Sequence, residues 1–125
     1  MDKNKKMTLD ELIRRKEQST QAKHKATEED FYVPSLDATI TLREPTASEL
    51  SDIADMSAED GAMYIIYNCC VEPNLKASEL QNAYMSAGEK PRNIVKKIFK
   101  LGEYMELSEE AVKLAGFNGV KRIKN

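Results

Sequence analysis

A chain of 125 residues with a formal net charge of −2 is the size of one domain. Its 41 % hydrophobic and 32 % charged residues are enough for a core beneath a wet surface, without disulfides or a structural metal. No apolar run approaches the roughly 18 residues of a membrane span. The basic start is not followed by an apolar signal core, so a cytoplasmic protein is expected. The slightly acidic balance weighs against a dedicated nucleic-acid binder.

The N-terminal stretch opens with Thr8-Leu9-Asp10-Glu11, the pattern of a capping box, followed by Leu9, Leu12 and Ile13 at helical spacing. These three make either a docking motif or a short helix packed back on its own domain. From Arg14 to Asp30 the chain is apolar only at Ala22 and Ala26. So little burial cannot offset the ordering entropy, and the spacing predicts a flexible linker or frayed helix. Residues 1–30 thus form an expected N-terminal arm, 31–117 a globular domain and 118–125 a basic tail.

Phe31-Tyr32-Val33-Pro34 and Thr39-Ile40-Thr41-Leu42 carry β-prone residues with turn residues Ser35 to Ala38 between them. A hairpin follows, with Pro34 ending the first strand or placing it at an edge. Such an edge, with Phe31 and Tyr32 on it, can pair with a second copy or an extended client.

From Pro45 onward helix follows helix. Thr46 to Glu49 is a second capping box, with Ala47, Leu50, Ile53 and Ala54 as one face. Ser57 caps a helix predicted from Ala58 to Val71, apolar nearly all round and therefore central; Pro73 stops it. A short helix from Ala77 to Met85 points Leu80, Ala83 and Tyr84 inward. Pro91 opens a helix that buries Ile94, Val95, Ile98 and Phe99. The last helix spans about Gly102 to Ala115 with Tyr104, Met105, Leu107, Ala111, Val112, Leu114 and Ala115 on its face. Ser108-Glu109-Glu110 leaves open whether it is one helix or two. Gly116 suits the residue after the helix end, with Phe117 as its hydrophobic contact. The fold class is α+β and predominantly helical: an N-terminal hairpin followed by four or five short amphipathic helices.

Catalytic chemistry finds little to stand on. Cys69 and Cys70 are adjacent, lack metal-ligand spacing, and read as two small buried residues on a helix. His24, the single histidine, sits among polar residues. Glu59-Asp60 and Glu109-Glu110 stand where helix N-termini favour acids. No glycine-rich phosphate loop is present, so no cofactor, metal or catalytic residue is expected. Basic residues gather toward both ends (Lys3, Lys5, Lys6, Arg14, Arg15, Lys16, Lys23 and Lys25; then Lys121, Arg122 and Lys124), and acids occupy the middle. That arrangement suits either head-to-tail contacts between copies or a plain solvated surface.

The order of features from Asp30 to Phe117 resembles the XkdN-type tail assembly chaperones of tailed phages and phage-like prophages. Ile40-Thr41-Leu42-Arg43-Glu44-Pro45-Thr46 leads into Ala47-Ser48-Glu49-Leu50. Cys70-Val71-Glu72-Pro73-Asn74-Leu75 is similar to the family's cysteine, valine, acid, proline, polar, leucine pattern. Ile94-Val95-Lys96-Lys97-Ile98-Phe99, Leu101-Gly102-Glu103-Tyr104 and Leu114-Ala115-Gly116-Phe117 follow, with Leu101 where family members often have proline.

The resemblance implies a non-enzymatic assembly factor in the host bacterial cytoplasm. It would coat the tape-measure protein until tail-tube subunits replace it, and be absent from the mature virion. It also implies a longer, frameshifted form, for which Ile123-Lys124-Asn125, encodable as AUA-AAA-AAC, offers a slippery run. Candidate partner-binding residues are Leu9, Leu12, Ile13, Phe31, Tyr32 and Met105, the last with Met56, Met63 and Met85 as adaptable contact surface or core filler. Partners are then the tape-measure protein, the longer form and further copies of the chain, with no membrane. The reading from a different class is a small helical adaptor or regulator touching nucleic acid or the ribosome through its basic ends; salt sensitivity separates the two.

Overall fold

The computed structural model describes residues 5–19, 26–117 and 120–123, with burial unassigned at 17–19. His24, Lys3, Lys23, Lys25, Lys124 and Asn125 lie outside the described residues. The chain divides into two compact units, Met1–Ala26 with Asn118–Asn125, and Thr27–Phe117.

The first unit holds α1, Leu9–Ser19. Thr8 starts it by accepting the Glu11 N–H on its hydroxyl at 3.2 Å. The Glu11 carboxylate accepts from Arg14 Nη1 at 2.9 Å and Arg15 Nε at 3.2 Å, one turn on. Exposed pairs of this kind are worth a few tenths of a kcal/mol.

The second unit begins with β1 (Glu28–Val33) and β2 (Ala38–Arg43), antiparallel with Phe31 opposite Ile40. Pro34 both ends β1 and follows an edge strand, since the sheet order is β1-β2-β3. The turn places Asp37 at a φ of 46° and has it accept the Tyr32 hydroxyl at 2.6 Å. Aspartate tolerates the left-handed region better than most residues. Strand β1 starts three residues earlier than its apolar residues imply. Glu28, Glu29 and Asp30 belong to the ladder, their side chains exposed. Charges along an edge discourage indiscriminate pairing.

Helix α2 (Ala47–Asp52) has the complete Thr46–Glu49 capping box. It is too short to bury a whole face: Leu50 and Ile53 are half-buried, whereas Ala47 and Ala54 are exposed. Helix α3 (Ala58–Cys69) is capped by Ser57 as expected and buries Gly61, Ala62, Met63, Ile65, Ile66 and Cys69. It is the centre of the unit, packed against β2, α5 and α6.

The sequence predicts this helix to continue to Val71, and here the structure differs. After Cys69 the chain straightens into β3, Cys70–Glu72, which pairs antiparallel with β2 through Leu42↔Cys70 and Thr41↔Glu72. Two effects favour the strand over another half-turn. Pro73 biases Glu72 toward extended backbone, and the open side of β2 offers ladder partners beside the fully buried Leu42. Cys70 is therefore a strand residue, though as buried as expected.

Helix α4 (Ser78–Tyr84) turns a different side inward from the one its apolar residues suggest. Leu80 is half-buried, but Ala83 and Tyr84 are exposed. Gln81 instead reaches in, its amide donating to the carbonyls of Leu75 at 2.9 Å and Pro91 at 3.3 Å. A single 3-10 turn at Pro91–Asn93 leads into α5 (Ile94–Ile98), which buries Ile94 and Val95, with Phe99 buried just beyond.

Helix α6 (Leu101–Lys113) is one helix with Ser108 in its interior. Tyr104, Leu107 and Ala111 are buried, and the remaining residues of the predicted face are half-buried. Gly116 takes a φ of 97° after the helix, as its position implies, and Phe117 beyond it is 54 % exposed. The hairpin tip is tied to α6 by the Glu103 carboxylate, which accepts the Ser35 N–H at 2.9 Å and hydroxyl at 2.6 Å. The fold is α+β and helix-rich, with six helices and one three-stranded antiparallel sheet among the described residues.

Candidate partner-binding surfaces

The strongest electrostatic feature lies where β2, α2 and α3 meet. Arg43 donates to both carboxylate oxygens of Glu49, at 2.9 and 2.8 Å, and to the carbonyls of Glu44 at 2.9 Å and Asn68 at 2.8 Å. The Arg43 guanidinium, helped by the Thr46 N–H, holds the Glu49 carboxyl down at about 2. The chain thus locks Ile40–Thr46, the α2 cap and the end of α3 into one piece, with both terminal nitrogens of Arg43 engaged. This is framework, with no reactive group free.

Burial pushes both thiols up to about 12, which leaves Cys69 and Cys70 neutral and unreactive at physiological pH. Burial, reinforced by its bond to Glu59 at 2.9 Å, also pushes the Tyr104 phenol up to about 12. Among the described residues no group of three or more His, Cys, Asp or Glu is placed to hold a metal ion.

The residues singled out for partner contact fall in both units. Leu9, Leu12 and Ile13 share one face of α1, 73 %, 57 % and 57 % exposed. Tyr32 lies on β1 and is exposed, while its neighbour Phe31 faces the other way, half-buried against the core. Met105 is half-buried on α6 against the same core. Phe31 and Met105 therefore serve one cluster, and Tyr32 and the α1 stripe hold the exposed apolar surface of the set. The far side of β1 has no strand partner among the described residues.

A further concavity escaped sequence reasoning. Tyr64, Tyr67 and Asn68 of α3 face Lys90, Pro91 and Arg92 across a cleft of about 310 Å³. The i, i+3 tyrosines were the available signal, but periodicity assigns them to the flank of a buried helix. The opposite wall comes from a 3-10 turn some 25 residues away, which no local pattern places there.

A family model of the phage XkdN-like tail assembly chaperone protein matches residues 2–123. The chain belongs to that family. Neither a curated protein nor a solved structure matches it. Membership in a family of tail assembly chaperones implies protein partners in tail assembly and points to a non-catalytic role. Among the described residues no helix of this family member is long and apolar enough to cross a membrane.

Proposed function

We propose that this chaperone binds the tape-measure protein during phage tail assembly and keeps it soluble in the host cytoplasm until tail-tube subunits take over, then leaves before the virion is complete. The family match over residues 2–123 carries the reading. The exposed stripe of Leu9, Leu12 and Ile13 supports it, because such a stripe suits the apolar side of a long amphipathic client helix. Each leucine so covered is worth up to about 2 kcal/mol. Several copies along one client add avidity, and a longer frameshifted form extends the set of partners.

The test is co-expression with the tape-measure protein of the same phage or prophage. Co-purification and a rise in soluble tape-measure protein are expected, together with absence of the chaperone from purified tails by mass spectrometry. A tape-measure protein that stays insoluble and unbound refutes the reading. Codons at Ile123 to Asn125 that cannot re-pair after a one-base slip remove the frameshifted form alone.

A further inference from the structure

We propose that the cleft between α3 and the Pro91–Asn93 turn is a docking site for an acidic, apolar protein segment: a large apolar side chain seated between the tyrosines and Pro91, with an adjacent carboxylate on Lys90 and Arg92. This names the chemistry of a partner and rests on the reading of the chain as a protein-binding chaperone.

The apolar half of the site is built. Tyr64, Tyr67 and Pro91 wall about 310 Å³, room for one or two side chains, and the cleft has no acidic lining residue. The Tyr64 ring is anchored at its hydroxyl. The Tyr64 hydroxyl donates to Asp52, and Asn68 Nδ2 donates to the Tyr64 carbonyl at 2.9 Å. Lys76 Nζ stands 5.3 Å from the centre of the Tyr67 ring. Rigid aromatic walls lose little entropy on binding.

Charge complementarity supplies the other half. Arg92 Nε is buried and has no hydrogen-bond partner among the described residues, and a buried donor left so costs free energy. Arg92 and Lys90 also border a second, wider hollow of about 460 Å³ that adds Lys96. Of the three acids there, Glu89 is paired with Lys97 at 2.6 Å and Glu59 accepts from the Tyr104 hydroxyl. Glu59 and Asp60 remain as counter-charges in that hollow. No ion pair engages Lys90, Arg92 or Lys96 among the described residues. Arginine beside aromatic walls is the composition of an interface anchor for a carboxylate. A basic segment is disfavoured in the cleft, whose lining holds two cations and no acid.

The probe is a synthetic helical peptide with a leucine stripe flanked by glutamates, alongside versions with lysine for glutamate and with serine for leucine. Binding to the full chain is read by fluorescence anisotropy, and amide shifts locate the site. The glutamate–leucine peptide is expected to bind, shift Tyr64, Tyr67 and Arg92, and weaken at least about tenfold in Arg92→Glu and in Tyr67→Ala. Lys90→Glu gives a milder loss. Arg92→Glu is further expected to favour the lysine peptide, a reversal that damage to the fold does not produce; circular dichroism checks the fold of each variant. Equal binding of the acidic and basic peptides, shifts confined elsewhere, self-association of the chain through the cleft, or no binding overturns the proposal. If tape-measure protein is still solubilised in those cases, the cleft assignment alone fails. If the peptide binds as expected and tape-measure protein does not, the cleft stands and the choice of client fails.

Discussion

Replacing Glu49 by glutamine keeps the shape of the β2–α2–α3 junction and removes its negative charge. In the folded chain Arg43 lowers the Glu49 pKa from 4.5 to about 2. Each pKa unit is worth about 1.4 kcal/mol, so the coupling is on the order of 3 kcal/mol at neutral pH. Side-chain exposure of 25 % at Arg43 and 14 % at Glu49 screens part of it, and the glutamine amide still accepts one hydrogen bond. The expected loss in Glu49→Gln is then about 2–3 kcal/mol, at the strong end for a single hydrogen-bonded pair. The sign of the pH dependence follows from a depressed pKa. The contribution is fully present above about 4.5, the unfolded value, and is lost as pH falls toward 2. Near pH 3 roughly half or less should remain. Urea unfolding followed by circular dichroism, for both proteins at neutral pH and near pH 3, measures the difference directly. A Glu49→Gln penalty below about 0.5 kcal/mol at neutral pH, or one unchanged near pH 3, refutes the argument, because surface-like behaviour is what an uncoupled carboxylate shows.

Other outcomes follow from single contacts. Ile66→Ala, at a fully buried position in the middle of α3, is expected to cost about 2–5 kcal/mol in the same unfolding assay. Tyr104→Phe deletes the bond to Glu59 between α6 and α3 and should cost about 1–2 kcal/mol; a neutral result shows the bond to be solvated. Both thiols, held neutral by burial, should resist an alkylating reagent in the native protein and react quickly once it is denatured. Serine at Leu9, Leu12 and Ile13 together should abolish tape-measure solubilisation while leaving unfolding of the Thr27–Phe117 unit within about 0.5 kcal/mol of the parent.

How much of this was legible in the sequence depends on how local each signal is. The caps at Thr46 and Ser57, the buried run of α3 and the Phe31–Ile40 hairpin are written in adjacent residues, and the structure has all of them. Strand β3 was not legible, because three residues that look helical by composition become extended only when β2 offers them partners. The inward side of α4 was misjudged for a related reason. Gln81 is polar, yet it serves two backbone carbonyls in the segments flanking its own helix, and Tyr84 is left outside. The exposed α1 stripe could be named from spacing alone. The tyrosine cleft could not, since its two walls meet only in the folded chain.

The bond from Ser35 to Glu103 and the packing of α6 on α3 join stretches of chain that the ribosome releases far apart in time. Synthesis at about 5–20 residues per second puts several seconds between them. During that interval the emerging chain has its hairpin and the whole of α3, but lacks the Tyr104–Leu107–Ala111 row that roofs the helix. A tail assembly chaperone is thus, for the last part of its own birth, in need of cover itself. Messages cut short before Lys113 should yield aggregates or proteolytic fragments in place of a smaller working chaperone.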